Sequence, residues 1–371
     1  MTSKGGAGKT TLTEQFAISL SQRKLKVLIV DLDSQATITK SLRRNTEVET
    51  SNFFSGLKTM GSLVARLLRS DNKEEFAEEM LSGSELKRVV EEAILATDYD
   101  GISIIPSNKR IISDGLDLAT QNGSLTILRY ILKSVQDNYD WIFLDVPSYQ
   151  DAQTANVLAH HSVDYIVCPS EPSEKDIEGL VQFASDMLKK STLNNTDACI
   201  VGAVINNANP RTNVYHESMG EIAAYFFRRA AFMLSRTFTG DRGEAKKRAQ
   251  DEIMEIARVV SKDLLGDDGP NQFMKAFKLM ESDTAGSVKA VPELPIIVQK
   301  TCIEISKSIG VWTGIPITST ISSTVRLKSI TSLTDGLLSI KIEETRKEAK
   351  EVFTEVEMAI ELIENIRKEE D

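Results

Sequence analysis

Ser3-Lys4-Gly5-Gly6-Ala7-Gly8-Lys9-Thr10-Thr11 is the stretch on which the reading of this chain turns. A triphosphate needs many hydrogen-bond donors converging on a small volume. Glycines at 5, 6 and 8 remove Cβ atoms, so the backbone can wrap phosphates and turn N–H groups inward. Lys9 then supplies a point charge to the β- and γ-phosphates. Thr10 offers a hydroxyl to Mg²⁺, and Thr11 opens a helix whose N-terminus favours an anion. The common pattern is G-x-x-x-x-G-K-[ST]. Here Ser3 stands at the first glycine, and Lys4 adds a cation just ahead of Gly5. The plain alternative is a glycine-rich turn that binds nothing. Against it, Leu12, Phe16, Ile18 and Leu20 supply the amphipathic helix that the motif requires.

The residues that follow extend the pattern. Lys26-Val27-Leu28-Ile29-Val30-Asp31-Leu32-Asp33 is a β-branched apolar run ending in carboxylates. It reads as a buried parallel strand with Asp31 and Asp33 at its C-terminal edge, where open α/β sheets place ligands. Trp141 to Ser148 is a second such strand, ending at Asp145, the expected acid that holds Mg²⁺ through water. A lone aspartate at a strand end is ordinary turn chemistry. Two in this order behind a phosphate loop are not.

These motifs resemble those of the ParA/MinD family of P-loop ATPases, on the ParA side, the plasmid and chromosome partition ATPases. Lys4 to Thr11 matches the family's deviant loop, and Val30 to Gln35 its V-D-x-D-x-Q element. Phe143-Leu144-Asp145-Val146-Pro147 matches x-x-D-x-P, and Ile104 to Asn108 matches I-P-[SA]. Further matches are Cys168 to Pro172 with Asp176 to Leu180, Asn209 to Asn213, and Ala290-Val291-Pro292. The resemblance spans residues 1 to about 217 and about 287 to 318. It implies an α/β, P-loop NTPase-like fold with a mostly parallel twisted sheet flanked by helices. It implies ATP and Mg²⁺ as cofactors, and Lys4, Lys9 and Asp33 as catalytic residues. Lys4 would reach the phosphates of a partner's ATP, so the working unit would be a homodimer. Gly5, Gly6, Ala7, Gly8, Lys9, Thr10 and Thr11 would cradle the nucleotide. Asn206 and Pro292 would contact adenine, and Thr10, Asp33 and Asp145 would hold the metal. Nonspecific DNA and a ParB-like adaptor would be partners, in a cytoplasmic, nucleoid-associated protein.

Composition agrees with an intracellular enzyme. Net charge is −10, and Cys168, Cys199 and Cys302 are far apart in sequence with no paired spacing. They read as buried small hydrophobes rather than disulfides or metal ligands. Adjacent His160 and His161 have no Cys or His near them in sequence to complete a metal site. No membrane-length apolar run is visible.

Three departures from the family stand out. The family carries a strand ahead of the loop, but only Met1 and Thr2 precede Ser3 here. A missing central strand would expose two sheet edges, so the expectation is a truncated or mis-started sequence, or another segment in that place. Seventy-eight residues separate Asn213 from Pro292, where the family has a helix and a strand. Their periodicity predicts helices over 216–236, 244–265 and 271–281. Arg228, Arg229, Arg236, Arg242, Lys246, Lys247 and Arg248 cluster there, as a solvated face or as a surface for DNA phosphates. Finally, 342–369 predicts one long helix with Val352, Val356, Ala359, Ile363 and Ile366 on its apolar face. Glu355, Glu357, Glu361 and Glu364 are assigned to the other. An acidic outer face argues against membrane docking and for packing on the chain's own core, with a helix-to-helix dimer contact second.

The expected organisation is therefore an ATPase domain of residues 1–215 and 287–320, a helical insertion of 216–286, and a C-terminal extension of 321–371. Two rival functions remain at this level. One is a MinD-like membrane-surface positioning ATPase. The other is a regulator or carboxylate-activating ligase on the same fold.

Overall fold

The computed structural model describes residues 8–33, 35–43, 84–107, 127–147, 163–194, 198–206, 208–209, 211–281, 293–320 and 335–370. Lys4, Gly5, Gly6, Ala7, His160, His161 and Pro292 lie outside them. The chain divides into two compact units, Ser3–Asp164 with Asp186–Ala198, and Tyr165–Ser185 with Cys199–Asp371. This cut separates residues that the sequence places in one ATPase domain.

The first unit is built on four strands: β1 (Val27–Asp31), β2 (Leu95–Ala96), β3 (Ile102–Ile105) and β4 (Trp141–Asp145), ordered β2-β3-β1-β4. β1 pairs in parallel with β3 on one side and β4 on the other, and β2 runs antiparallel beside β3. Val27 to Val30 are wholly buried. A strand covered on both faces has no polar side to show, which is why this run lacks alternation. The register sets Val27 opposite Trp141 and Asp31 opposite Asp145. Helix α1 (Lys9–Gln22) packs on this sheet, with Phe16 and Phe143 at 6.5 Å between ring centroids. Leu12, Phe16, Ile18 and Leu20, the face expected from sequence, are at most 4% exposed. Short α2 (Thr37–Leu42), α3 (Ser84–Glu91) and α4 (Ile127–Val135), the last followed by a 3-10 turn over Gln136–Asn138, also belong to this unit. Helix α3 stops at Glu91, and Leu95 pairs with Ile104 as a strand.

The second unit holds three parallel strands, β5 (Tyr165–Ser170), β6 (Cys199–Ile205) and β7 (Ile315–Pro316), ordered β5-β6-β7. Gly202 on β6 is required: a Cβ there would sit 2.4 Å from the Ile315 carbonyl oxygen. Around the strands lie α5 (Glu174–Asn194), α6 (Asn213–Ser235), α7 (Arg242–Leu265), α8 (Gly269–Glu281), α9 (Leu294–Ile309) and α10 (Asp335–Glu370). Helices α6, α7 and α8 fall close to the three predicted helices. Asp241 caps α7, its carboxylate accepting the Gly243 N–H at 2.7 Å. On α7 the buried residues Ala245, Ala249, Ile253, Ala257 and Ser261 recur every four positions, a narrow stripe that lets α7 lie close against α6 and α9. No described helix is long and apolar enough to cross a membrane.

Helix α10 packs on β6. Val352, Val356, Ala359, Ile363 and Ile366 are all buried, as the apolar face expected from the spacing. The acidic face is not uniformly solvated, however. Glu355 accepts from Thr318 N and Oγ1, Ser319 N and Oγ, and Gln299 Nε2 at 2.5–2.9 Å. Glu364 accepts from the Tyr165 hydroxyl, over whose ring Arg367 lies at 5.7 Å. Periodicity marks a residue as polar; it does not say that its polar partner belongs to the same molecule.

Candidate functional site

Gly8 enters α1 with φ 87° and ψ 16°, a left-handed conformation that glycine adopts without strain. Beyond it Lys9, Thr10 and Thr11 form the first turn. Gly8's carbonyl accepts from Leu12 N at 2.9 Å, so helical bonding begins there. The N–H groups of the first turn have no partner within the helix, the standard condition of a helix N-terminus and the one that suits an anion.

Across from this turn stand three aspartates, delivered by the sheet register. β1 and β4 run in parallel with Asp31 beside Asp145, so both carboxylates reach the same sheet edge. Thr10 Oγ1 donates to Asp145 Oδ2 at 2.9 Å. Asp145 Oδ1 is buried and accepts no hydrogen bond. Burial, then the neighbouring Asp31 carboxylate and Asp33, push the Asp145 pKa up to about 7, while the Thr10 hydroxyl and the Lys9 ammonium pull the other way. A buried carboxylate oxygen without a donor beside a threonine hydroxyl is an environment short of positive charge. A divalent cation with oxygen ligands fits that deficit. Among the described residues no three His, Cys, Asp or Glu side chains make a metal cage. Mg²⁺ does not require one, because it keeps waters and phosphate oxygens and takes only one or two protein oxygens. Thr10 and Asp145 are the protein groups placed to hold it.

Asp31 and Asp33 differ in environment. Asp31 is fully buried and satisfied: Thr39 Oγ1 donates at 2.5 Å, Thr39 N at 3.3 Å and Asp33 N at 3.0 Å. Burial drives its pKa up to about 6, against the pull of those hydrogen bonds. Ser107 N in turn donates to Thr39 Oγ1 at 3.3 Å. Asp31 therefore ties β1, α2 and the end of β3 together. Asp33 is only partly buried, with its Oδ1 accepting Gln35 N at 2.9 Å. The sequence reading assigned roles to Asp33 and Asp145 and none to Thr39. A threonine six residues past Asp33 carries no motif signal; only the chain's return toward β1 reveals it.

Asn206 directly follows β6 in the second unit, its N–H donating to the Ser170 carbonyl at 2.8 Å. Asn209 and Thr212 build the turn into α6: Arg211 N donates to Asn209 Oδ1, and Thr212 Oγ1 accepts from Tyr215 N. The seven-residue basic cluster divides. Arg228, Arg236, Arg242, Lys246, Lys247 and Arg248 are exposed. Arg229 instead buries its Nε and Nη1 atoms, so it is not a surface contact. Cys168 and Cys302 are buried free thiols, with Cys199 partly covered. Burial pushes Cys199 up to about 11 and Cys302 up to about 12, which keeps both thiols protonated and inert.

A glycine-opened helix facing carboxylates at the C-terminal edge of parallel strands defines the P-loop NTPase class of fold. The model of the AAA domain family matches residues 1–198, and the chain belongs to that family, in its ParA/MinD-like line. Curated relatives include the chromosome partitioning protein ParA of Myxococcus xanthus, 26% identical over 225 residues, covering 60% of this chain and 69% of that one. The sporulation initiation inhibitor protein Soj of Bacillus subtilis is 26% identical over 224 residues, covering 60% and 77%. Among solved structures, apo McdA of Cyanothece aligns at a TM-score of 0.47 with 20% identity, over 60% of this chain and 79% of that one.

Proposed function

We propose that this protein is an ATP-driven partition or positioning switch. In this reading MgATP closes two copies into a dimer, the dimer binds nonspecific DNA, and a ParB-like adaptor on the cargo triggers hydrolysis and release. The observation that carries the nucleotide part is the orphaned Asp145 Oδ1 beside the Thr10 hydroxyl at the mouth of the glycine-capped helix. The names of the relatives, one a chromosome partitioning protein, support the switch. Residues 1–215 with 287–320 would serve as the ATPase domain, 216–286 as a helical addition and 321–371 as an extension.

Each residue has a role in this scheme. The first-turn N–H groups of α1 and Lys9 bind the phosphates. Thr10, Asp145 and Asp33 would hold Mg²⁺, and the ion, when bound, would neutralise charge on the phosphates. Asp33, the less buried acid of the β1 pair, orients the attacking water. Lys4 reaches the phosphates of the second copy and makes hydrolysis depend on assembly, as an arginine supplied in trans does. Asn206 and Pro292 contact adenine.

Phosphate release and size measurement test this. Lys4→Ala is expected to abolish ATP turnover, and turnover equal to wild type removes the trans role of Lys4. Asp33→Ala is expected to accumulate an ATP-bound dimer, read by light scattering on a sizing column. A variant that stays monomeric with MgATP while wild type dimerises contradicts the role given to Asp33.

A further inference from the structure

Helices α6 and α7 pack on each other and are joined through Arg236 to Asp241, which makes a helical hairpin with a short tip. Residues 228–248 contain seven basic and two acidic side chains, a local +5 in a chain of −10. One of the two acids, Asp241, already accepts the Gly243 N–H at the start of α7. Among the described residues Arg228, Arg236, Arg242, Lys246 and Lys247 are exposed and none forms an ion pair. Arg228 has an acidic neighbour in Glu221, about two turns back along α6.

An apolar residue stands inside this cationic surface. Phe232 is 59% exposed. It lies four residues after Arg228 and four before Arg236, so the three side chains share one stripe of the helix. The two arginines are separated by about 12 Å along the axis. A single exposed phenylalanine is ordinary on any protein surface. One held between two arginines that form no ion pair, on a hairpin whose second helix opens with three more exposed cations, Arg242, Lys246 and Lys247, offers both charge for phosphates and an apolar side chain for what lies between them.

We propose that the tip of the α6–α7 hairpin is the duplex-DNA surface of this protein. Arg228, Arg236, Arg242, Lys246 and Lys247 neutralise backbone phosphates, and Phe232 enters the groove as the apolar contact. This rests on the DNA-binding reading given above and assigns it a place. Binding is independent of sequence, because phosphate contacts position a protein without reading bases, and a single wedge residue reads deformability at most. A lipid surface fits less well. Interfacial binding scales with buried apolar area, and the tip offers one largely exposed aromatic, Phe232, where a membrane-inserting hairpin needs several.

The test uses the full chain with MgATP and a fluorescent random-sequence duplex, titrated over a range of salt. Each phosphate contact contributes about 0.9 to the slope of log affinity against log salt. Lys246→Gln with Lys247→Gln is expected to lower that slope by about 2. Phe232→Ala is expected to weaken binding roughly 5- to 10-fold with the slope unchanged, since it removes no charge. Neither variant should alter DNA-independent ATP turnover or the thermal midpoint, which shows that the fold is intact. If wild type binds DNA and both variants bind as tightly, with the same slope, the hairpin assignment is wrong and the DNA reading stands. If wild type with MgATP binds no DNA, both fail together. If the same variants lose binding to phosphatidylglycerol vesicles and wild type prefers those vesicles, the partner is a membrane and the proposal is overturned.

Discussion

Asp145 is a residue kept at a cost to stability. Its ordinary pKa is 3.8, and burial with Asp31 alongside pushes it to about 7 in the fold. The folded state thus binds that proton more tightly than the unfolded chain does. Between about pH 4 and pH 7 the native protein holds more protons than the unfolded one, so this group's contribution to stability falls as pH rises through that window. Above pH 7 the full penalty of a buried, ionised carboxylate remains. Asp31, raised to about 6, acts in the same direction over a narrower range. Asp145→Asn removes the charge and keeps the shape. The nucleotide-free variant is therefore expected to melt a few degrees above wild type at pH 8, with the gain vanishing toward pH 4, while losing Mg²⁺-dependent ATP turnover. Added Mg²⁺ with nucleotide should raise the wild-type midpoint far more at pH 8 than at pH 6, because protons and the cation compete for the same oxygen. Scanning calorimetry across pH reads all of this. An Asn variant less stable than wild type at pH 8 contradicts the strain assigned to Asp145. The three aspartates were legible from sequence, but their division of labour was not. Asp31 and Asp33 sit two apart at a strand end where the chain leaves the sheet, so strand alternation no longer fixes which one faces inward.

At the scale of elements, what sequence pattern could reach was local. The α1 and β1 faces, the helices of the insertion and the apolar stripe of α10 all follow from spacing, because each is fixed by neighbours within a few residues. What spacing could not reach was pairing between distant segments. Among the described residues the strands form two sheets, and β1 pairs with β3 and β4, strands more than seventy residues away, which no local spacing could announce. Glu355 shows the same limit on one helix. By sequence it belongs to a solvated acidic face; in the fold it joins α10 to the Thr318–Ser319 segment and to Gln299, which also donates to the Pro316 carbonyl. A carboxylate that gathers five donors at one place stabilises more than a surface ion pair does, though partial exposure and non-additivity limit the sum. Glu355→Ala is expected to cost about 2–3 kcal/mol in urea unfolding at constant m-value. Glu361→Ala, on the same helix, should cost less than about 0.5 kcal/mol. Equal effects from the two would return Glu355 to the solvated face.

At the scale of the whole molecule, charge sets assembly against DNA binding. Each chain carries −10, so the proposed MgATP dimer brings two like-charged bodies together and adds two anionic nucleotides. Repulsion of this kind acts between whole surfaces over several ångströms and is screened by salt, with a Debye length of about 10 Å at 0.1 M. In the proposed scheme the contact that closes the dimer, Lys4 on the partner's phosphates, would be short-range and screened less. Raising salt should therefore tighten ATP-dependent dimerisation. DNA binding through the +5 hairpin should move the other way: each phosphate contact releases a counterion, and five such contacts imply a loss of about 10²–10³ in affinity between 50 and 200 mM salt. The two trends can be separated in one titration series with the Asp33→Ala protein, whose dimer does not decay by hydrolysis in the proposed scheme. Sedimentation velocity with MgATP gives the dimer constant at each salt concentration, and fluorescence anisotropy on duplex DNA gives the other. Opposite slopes are the expected result. If dimerisation weakens with salt as steeply as DNA binding does, attraction between charged groups dominates the dimer interface, and the chain's overall −10 is not what opposes its assembly.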